Sequence, residues 1–78
     1  MNPLREFIRK HNLSIDDLSL LSGVSQNRIY TVLNGSCAFP ERILTIIEGT
    51  GEDVEEFLLD YEKFQSERRD ELFAKISV

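Results

Sequence analysis

Ser14-Ile15-Asp16-Asp17-Leu18-Ser19-Leu20-Leu21-Ser22-Gly23-Val24-Ser25-Gln26-Asn27-Arg28-Ile29-Tyr30-Thr31-Val32-Leu33-Asn34-Gly35 decides the reading of this chain. It holds two short helical patterns with a tight turn between them. Ser14 followed three residues later by Asp17 has the form of a capping box, in which a hydroxyl and a carboxylate satisfy orphan backbone N–H groups reciprocally. Leu18 and Leu21 give the first helix a buried stripe. Gly23 stands where that helix ends and the chain must turn sharply, a position that favours positive φ. Val24 is an apolar plug in the turn, and Ser25 is the next N-cap. Ile29, Val32 and Leu33 recur at i, i+3, i+4 and form the inner face of the second helix, which Asn34-Gly35 closes.

With that face turned inward, Gln26, Asn27, Arg28, Tyr30 and Thr31 turn largely outward. Gln, Asn and Arg carry the donor and acceptor forks that match base edges in a major groove. Three of them in a row at a helix N-terminus put planar polar groups at the end able to enter the groove.

The stretch resembles the helix-turn-helix of the phage repressor and Cro-like (XRE-type) family, a broad group of bacterial and phage DNA-binding regulators. The matching features are Leu18, Gly23-Val24-Ser25, Gln26, Ile29, Val32-Leu33 and Asn34-Gly35. The likeness extends over about residues 4 to 58. It departs from the family at Ile15, where many members carry a glutamine that helps clamp phosphate and the reading helix. The resemblance implies an all-α, lambda-repressor-like bundle of five or six helices. In such proteins the second helix of the motif enters the major groove and dimers bind half-sites about one helical turn apart. It further implies base reading by Gln26, Asn27, Arg28 and Thr31, and backbone or auxiliary contacts from Ser14, Ser25, Tyr30, Asn34 and Ser36. Arg28 and Tyr30 reach either a base edge or a phosphate, according to docking angle. For Asn34 and Ser36 the plainer alternative is cap and turn chemistry alone.

The rest of the chain fits one domain around this stretch. Seventy-eight residues with 41% apolar content make a small core that depends on good helix packing or on a partner. Asn2-Pro3 starts a helix carrying Leu4, Phe7 and Ile8 inward, with Arg5, Arg9 and Lys10 on a solvated or phosphate-facing side. His11 sits at its C-terminal end, where a cation is favoured. After the loop Ser36-Cys37-Ala38-Phe39, Pro40 opens a fourth helix whose Ile43, Leu44, Ile46 and Ile47 place it centrally in the core. Asp53 with Glu56 marks the start of a fifth, with Phe57, Leu58, Tyr61 and Phe64 on one face. The division is therefore residues 1–64 as the DNA-binding domain and 65–78 as a C-terminal helical extension. That extension either continues helix five or breaks near Gln65-Ser66 into a sixth. Its Leu72, Phe73, Ile76 and Val78 either fold back on the core or pair with a second copy as a homodimer.

The net charge of −5 weighs against a nucleic-acid partner, since such binders are usually basic. The charge is uneven, however. Residues 1–40 hold Arg5, Arg9, Lys10 and Arg28 against Glu6, Asp16 and Asp17, a net of +1, whereas residues 41–78 hold five basic and eleven acidic residues, a net of −6. A weakly basic reading half predicts modest non-specific affinity and a shallow salt dependence. The single Cys37 allows no internal disulfide and, with one histidine, no Cys/His zinc site. With no apolar run long enough for a membrane span and no signal-peptide pattern, the expected location is the cytoplasm. No phosphate loop, metal-ligand cluster or nucleophile–base pair suggests an enzyme or a cofactor. The expected partner is double-stranded DNA. The runner-up is a protein-interaction module on the same fold, such as an antirepressor or an antitoxin-like partner.

Overall fold

Four of the five helices begin where a side chain caps them, and the fourth in the chain begins after Pro40, which makes no side-chain cap hydrogen bond. The computed structural model describes residues 1–76; Ser77 and Val78, including the expected apolar contact of Val78, lie outside the described residues. Five helices follow one another: α1 Pro3–Lys10, α2 Ile15–Ser22, α3 Gln26–Leu33, α4 Glu41–Gly49 and α5 Val54–Ile76. Asn2 caps α1 through its side-chain oxygen and the Arg5 N–H, with Pro3 at the first helical position. Ser14 and Asp17 form the full reciprocal box at α2: Asp17 N–H donates to Ser14 Oγ and Ser14 N–H to Asp17 Oδ2, both at 3.0 Å. Ser25 caps α3. Asp53 Oδ1 accepts from the N–H groups of Glu55 and Glu56 at 3.0 and 3.3 Å and so opens α5.

The core is a single cluster made of Leu4, Phe7, Leu18, Ile29, Val32, Leu33, Ile43, Ile47, Phe57 and Tyr61. All five helices contribute to it, and Ile43 and Ile47 of α4 are completely covered. Phe39, from the loop before α4, packs edge-on between Phe57 and Tyr61, with ring centroids 5.1 Å from each. Such tilted aromatic contacts suit the ring quadrupoles and fill volume that short aliphatic side chains would leave open.

One expectation changes, and one pair of alternatives is decided. Leu21 is not buried; it is 62% exposed, while Leu18 and Ser22 are covered and Ile15 is half-covered. At about 100° per residue the line through residues 15, 18 and 22 fixes the inner side of α2, and Leu21 lies about 90° away from its middle. Two leucines three apart could not set that phase by themselves.

The alternatives concern the end of the chain. Gln65-Ser66 is no break, and α5 runs for 23 residues without interruption. At 1.5 Å per residue it is about 34 Å long, and it accounts for much of the 44 Å longest dimension of the molecule. Its inner line, Phe57, Tyr61, Phe64 and Gln65, Arg68, Leu72, passes from apolar to polar as the helix leaves the core. Leu72, Phe73 and Ile76 do not fold back on the bundle; they are 49%, 57% and 76% exposed. Among the described residues no helix is long and apolar enough to cross a membrane.

Candidate nucleic-acid interface

The turn between α2 and α3 is built from backbone up. Gly23 ends α2 at φ +72°, ψ 11°, the left-handed conformation that glycine adopts without steric cost. Two serines then tie the turn down. Ser22, the one buried polar residue of the described chain, donates from Oγ to Leu18 O at 2.7 Å and accepts from Val24 N–H at 3.1 Å. Ser19 donates to Val24 O at 2.7 Å. Val24 is half-buried against the core, as a plug should be.

From that turn α3 emerges in the expected phase. Ile29, Val32 and Leu33 are buried, while Gln26, Asn27, Arg28 and Tyr30 are exposed. Thr31 is half-buried, and its hydroxyl donates back to Asn27 O at 2.9 Å. Its oxygen lone pairs and methyl group remain as the features it can show to a ligand. Gln26 does not wave free: its Nε2 donates to Asp16 Oδ1 at 2.9 Å, which links the first turns of α2 and α3. Asp16 therefore makes the polar contact between these helices that Ile15, its neighbour in the chain, is unable to make.

The far end of α3 is held more firmly. The last carbonyls of a helix have no intrahelical partner and must find other donors. Here α1 and α5 supply them. Asn2 Nδ2 donates to Leu33 O at 2.8 Å, and Arg68 Nε to Asn34 O at 3.1 Å. Tyr61 Oη donates to Cys37 O at 2.7 Å and lies 3.2 Å from Val32 O. Gln65 Nε2 lies 3.2 and 3.1 Å from the carbonyls of Gly35 and Cys37. Gly35, again left-handed at φ +72°, brings the loop against the Phe64 ring. Burial pushes the Tyr61 phenol up to about 12, with the charge of Cys37 adding to it, so it stays a proton donor. Asn34 and Ser36 are exposed on this fastened loop.

The residues singled out from the sequence thus fall in two groups. Gln26, Asn27, Arg28, Tyr30, Thr31 and Ser25 sit on or next to one outward face of α3, and Asn34 and Ser36 continue it beyond the C-terminal end. Ser14 is at the start of α2, its hydroxyl occupied as an acceptor by Asp17 N–H. Asp17 is held below the usual carboxylate range by the Ser14 N–H first and the Ser14 hydroxyl second. The sequence reading gave no site role to Asn2, Asp16, Tyr61, Gln65 and Arg68, which position α3. Tyr61 and Gln65 did carry a signal, because polar groups on the inner line of an otherwise apolar helix need buried partners.

Part of the acidic half is displaced from this face, while Glu67 and Glu71 line a groove with Leu33 and Asn34 at the end of α3. Glu52, Asp53, Glu56 and Asp60 surround one shallow groove with Phe57. Lys10, at the C-terminal end of α1, bonds to Glu52 at 3.1 Å, whereas Asn2, at the N-terminal end, bonds to the end of α3. The eight residues of α1 separate the two by about 12 Å. Compared with protein-family models, curated proteins and solved structures, the chain matches none.

Proposed function

We propose that this protein is a sequence-specific DNA-binding regulator of transcription, a repressor of phage or bacterial type, with α2 and α3 as a lambda-repressor-like helix-turn-helix and α3 as the reading helix. One observation carries the reading. The side of α3 that bears an amide, a second amide and a guanidinium on consecutive residues is open to solvent, and the helix is fastened at both ends so that this side cannot turn inward. Gln26 and Asn27 read base edges, Thr31 offers its methyl and hydroxyl oxygen, and Arg28 reaches a base edge or a phosphate. Ser25, Tyr30, Asn34 and Ser36 contact the backbone and set the register.

The test is a titration of the chain against random duplexes and against duplexes enriched by repeated selection, at low and moderate salt. Salt-sensitive binding with a preference for the selected sequence is expected. Gln26→Ala and Asn27→Ala should each weaken binding to the selected duplex by about 1–3 kcal/mol, the worth of one bidentate pair with a base. Full-strength binding by both variants would remove them from the reading role. The exposed Leu72, Phe73 and Ile76 favour a second reading, a protein-interaction module on the same fold. No duplex binding at low salt, together with a stable complex with another protein, would select it.

A further inference from the structure

Arg42 had no place in the motif, yet it lies beside the reading helix. It is the second residue of α4, and Arg28 is the third of α3. The two line one shallow groove together with Val24, Ser25 and Pro40. Arg42 Nη1 lies over the α2–α3 turn, 3.1 Å from where a Cβ on Gly23 would stand, so the absence of a side chain there makes room for the guanidinium. Among the described residues neither arginine is in an ion pair. No carboxylate lines the groove; Glu41, next to Arg42 in the chain, is not among its walls.

The placement is unfavourable for a protein with nothing bound. The first turn of a helix carries partial positive charge, which favours acidic side chains and disfavours basic ones. Here two helices each put an arginine in the first turn and both face one groove, where the acid of the α4 first turn, Glu41, is not among the walls, in a chain with a net charge of −5. An anion in the groove removes the conflict. Guanidinium forks match a tetrahedral phosphate through paired N–H donors, and they remain charged at any working pH.

We propose that Arg28 and Arg42 jointly grip one backbone phosphate of the duplex that α3 reads, so that Arg28 positions the helix on the backbone and leaves base recognition to Gln26 and Asn27. This rests on the duplex reading above and assigns Arg42 a role that no local pattern shows.

The experiment measures affinity for the selected and the random duplex as a function of salt, in the unmodified chain, Arg42→Gln, Arg42→Lys and Gln26→Ala, with helical content checked for each. Arg42→Gln should weaken both duplexes by the same factor and lower the slope of log K against log salt measurably, by at most about 0.9 because Arg28 still faces the shared phosphate. Arg42→Lys should keep the slope and recover part of the affinity, since the charge remains without the fork. An unchanged slope in Arg42→Gln, while Gln26→Ala still costs affinity for the selected duplex, overturns the inference and leaves the duplex reading standing. A loss confined to the selected duplex overturns it too, because Arg42 would then be reading a base. Inorganic phosphate that moves the Ser25 and Arg28 amide resonances, with no slope change in the duplex titration, would make the groove a site for free phosphate instead. If the unmodified chain binds no duplex, the reading itself fails, and the two failures are told apart.

Discussion

Tyr61→Phe isolates one atom of the scaffold that holds α3. The ring keeps its packing on Phe39 and Phe64, at centroid distances of 5.1 and 6.3 Å, and only the hydroxyl is removed. Its single proton serves Cys37 O at 2.7 Å or Val32 O at 3.2 Å, one at a time. Neither carbonyl is orphaned by the change, because Gln65 Nε2 stays 3.1 Å from Cys37 O and Gly35 N–H stays 2.9 Å from Val32 O. The penalty for a buried unsatisfied group therefore does not apply, and what remains is the net worth of one buried hydrogen bond, about 1 kcal/mol. In a domain of this size that lowers Tm by about 4–8 °C. Thermal and urea melts of the two proteins measure it. No loss would show that the hydroxyl makes no bond in solution; a loss above about 3 kcal/mol would show that the carbonyls have no second donor.

Alkaline pH gives the same test a sign. The folded-state pKa is raised from the ordinary 10 to about 12, burial first and the charge of Cys37 second. The contribution is therefore complete below pH 10 and lost as pH climbs from 10 towards 12. The stability gap between wild type and Tyr61→Phe should close over that window.

Gly23→Ala and Gly35→Ala start from the same φ of +72° but meet different neighbours. The new methyl at residue 23 meets a mobile guanidinium end and should cost about 1–2 kcal/mol from the backbone alone. The one at residue 35 comes within 3.0 Å of the packed Phe64 ring and should cost more; equal losses in denaturant melts would contradict the packing described. Asp17 has its pKa lowered by Ser14, so its contribution is present above the unfolded value of 3.8 and is lost as pH falls through the folded one. Ser14→Ala should cost about 1 kcal/mol and move the Asp17 titration midpoint only part of the way up, since the backbone N–H still donates; carboxyl NMR would show an unmoved midpoint if the box were absent. Ending the chain after Arg69 removes, among the described residues, only exposed ones and keeps Gln65 and Arg68, so Tm should change by no more than about 2 °C at low concentration. A large drop would mean that the distal helix packs on something, and sedimentation of both lengths would show whether that is a second copy.

Much of α1, α3 and α4 could be read from the sequence, because each has a start signal, a capping side chain in α1 and α3 and Pro40 before α4, and an apolar period that points the same way. The outward face of α3 followed from Ile29, Val32 and Leu33, three residues sufficient to set a helix's phase. Leu18 and Leu21 were too few to do so for α2, and the choice fell to Ser22, a small residue whose hydroxyl could be satisfied by its own helix. The length of α5 was open because Gln65-Ser66 is polar without being a breaker. It was decided by Gln65 and Arg68 finding carbonyls at residues 34 to 37. Contacts of that kind join positions about thirty apart in sequence, so no local spacing announces them, and the same is true of Arg42 over Gly23.

The bond from Gln26 to Asp16 has a consequence for what a ligand meets. A carboxylate only accepts, so the amide nitrogen must face Asp16 and the amide oxygen must face away. The side chain's freedom, of order 1.5–2 kcal/mol when fully lost, has in part been surrendered during folding and is not lost again on docking. What projects is one acceptor and one remaining N–H, the complement of adenine's amino group and ring nitrogen. On the proposed duplex reading, a neutral amide restrained by a fixed negative charge is preset for one of four letters.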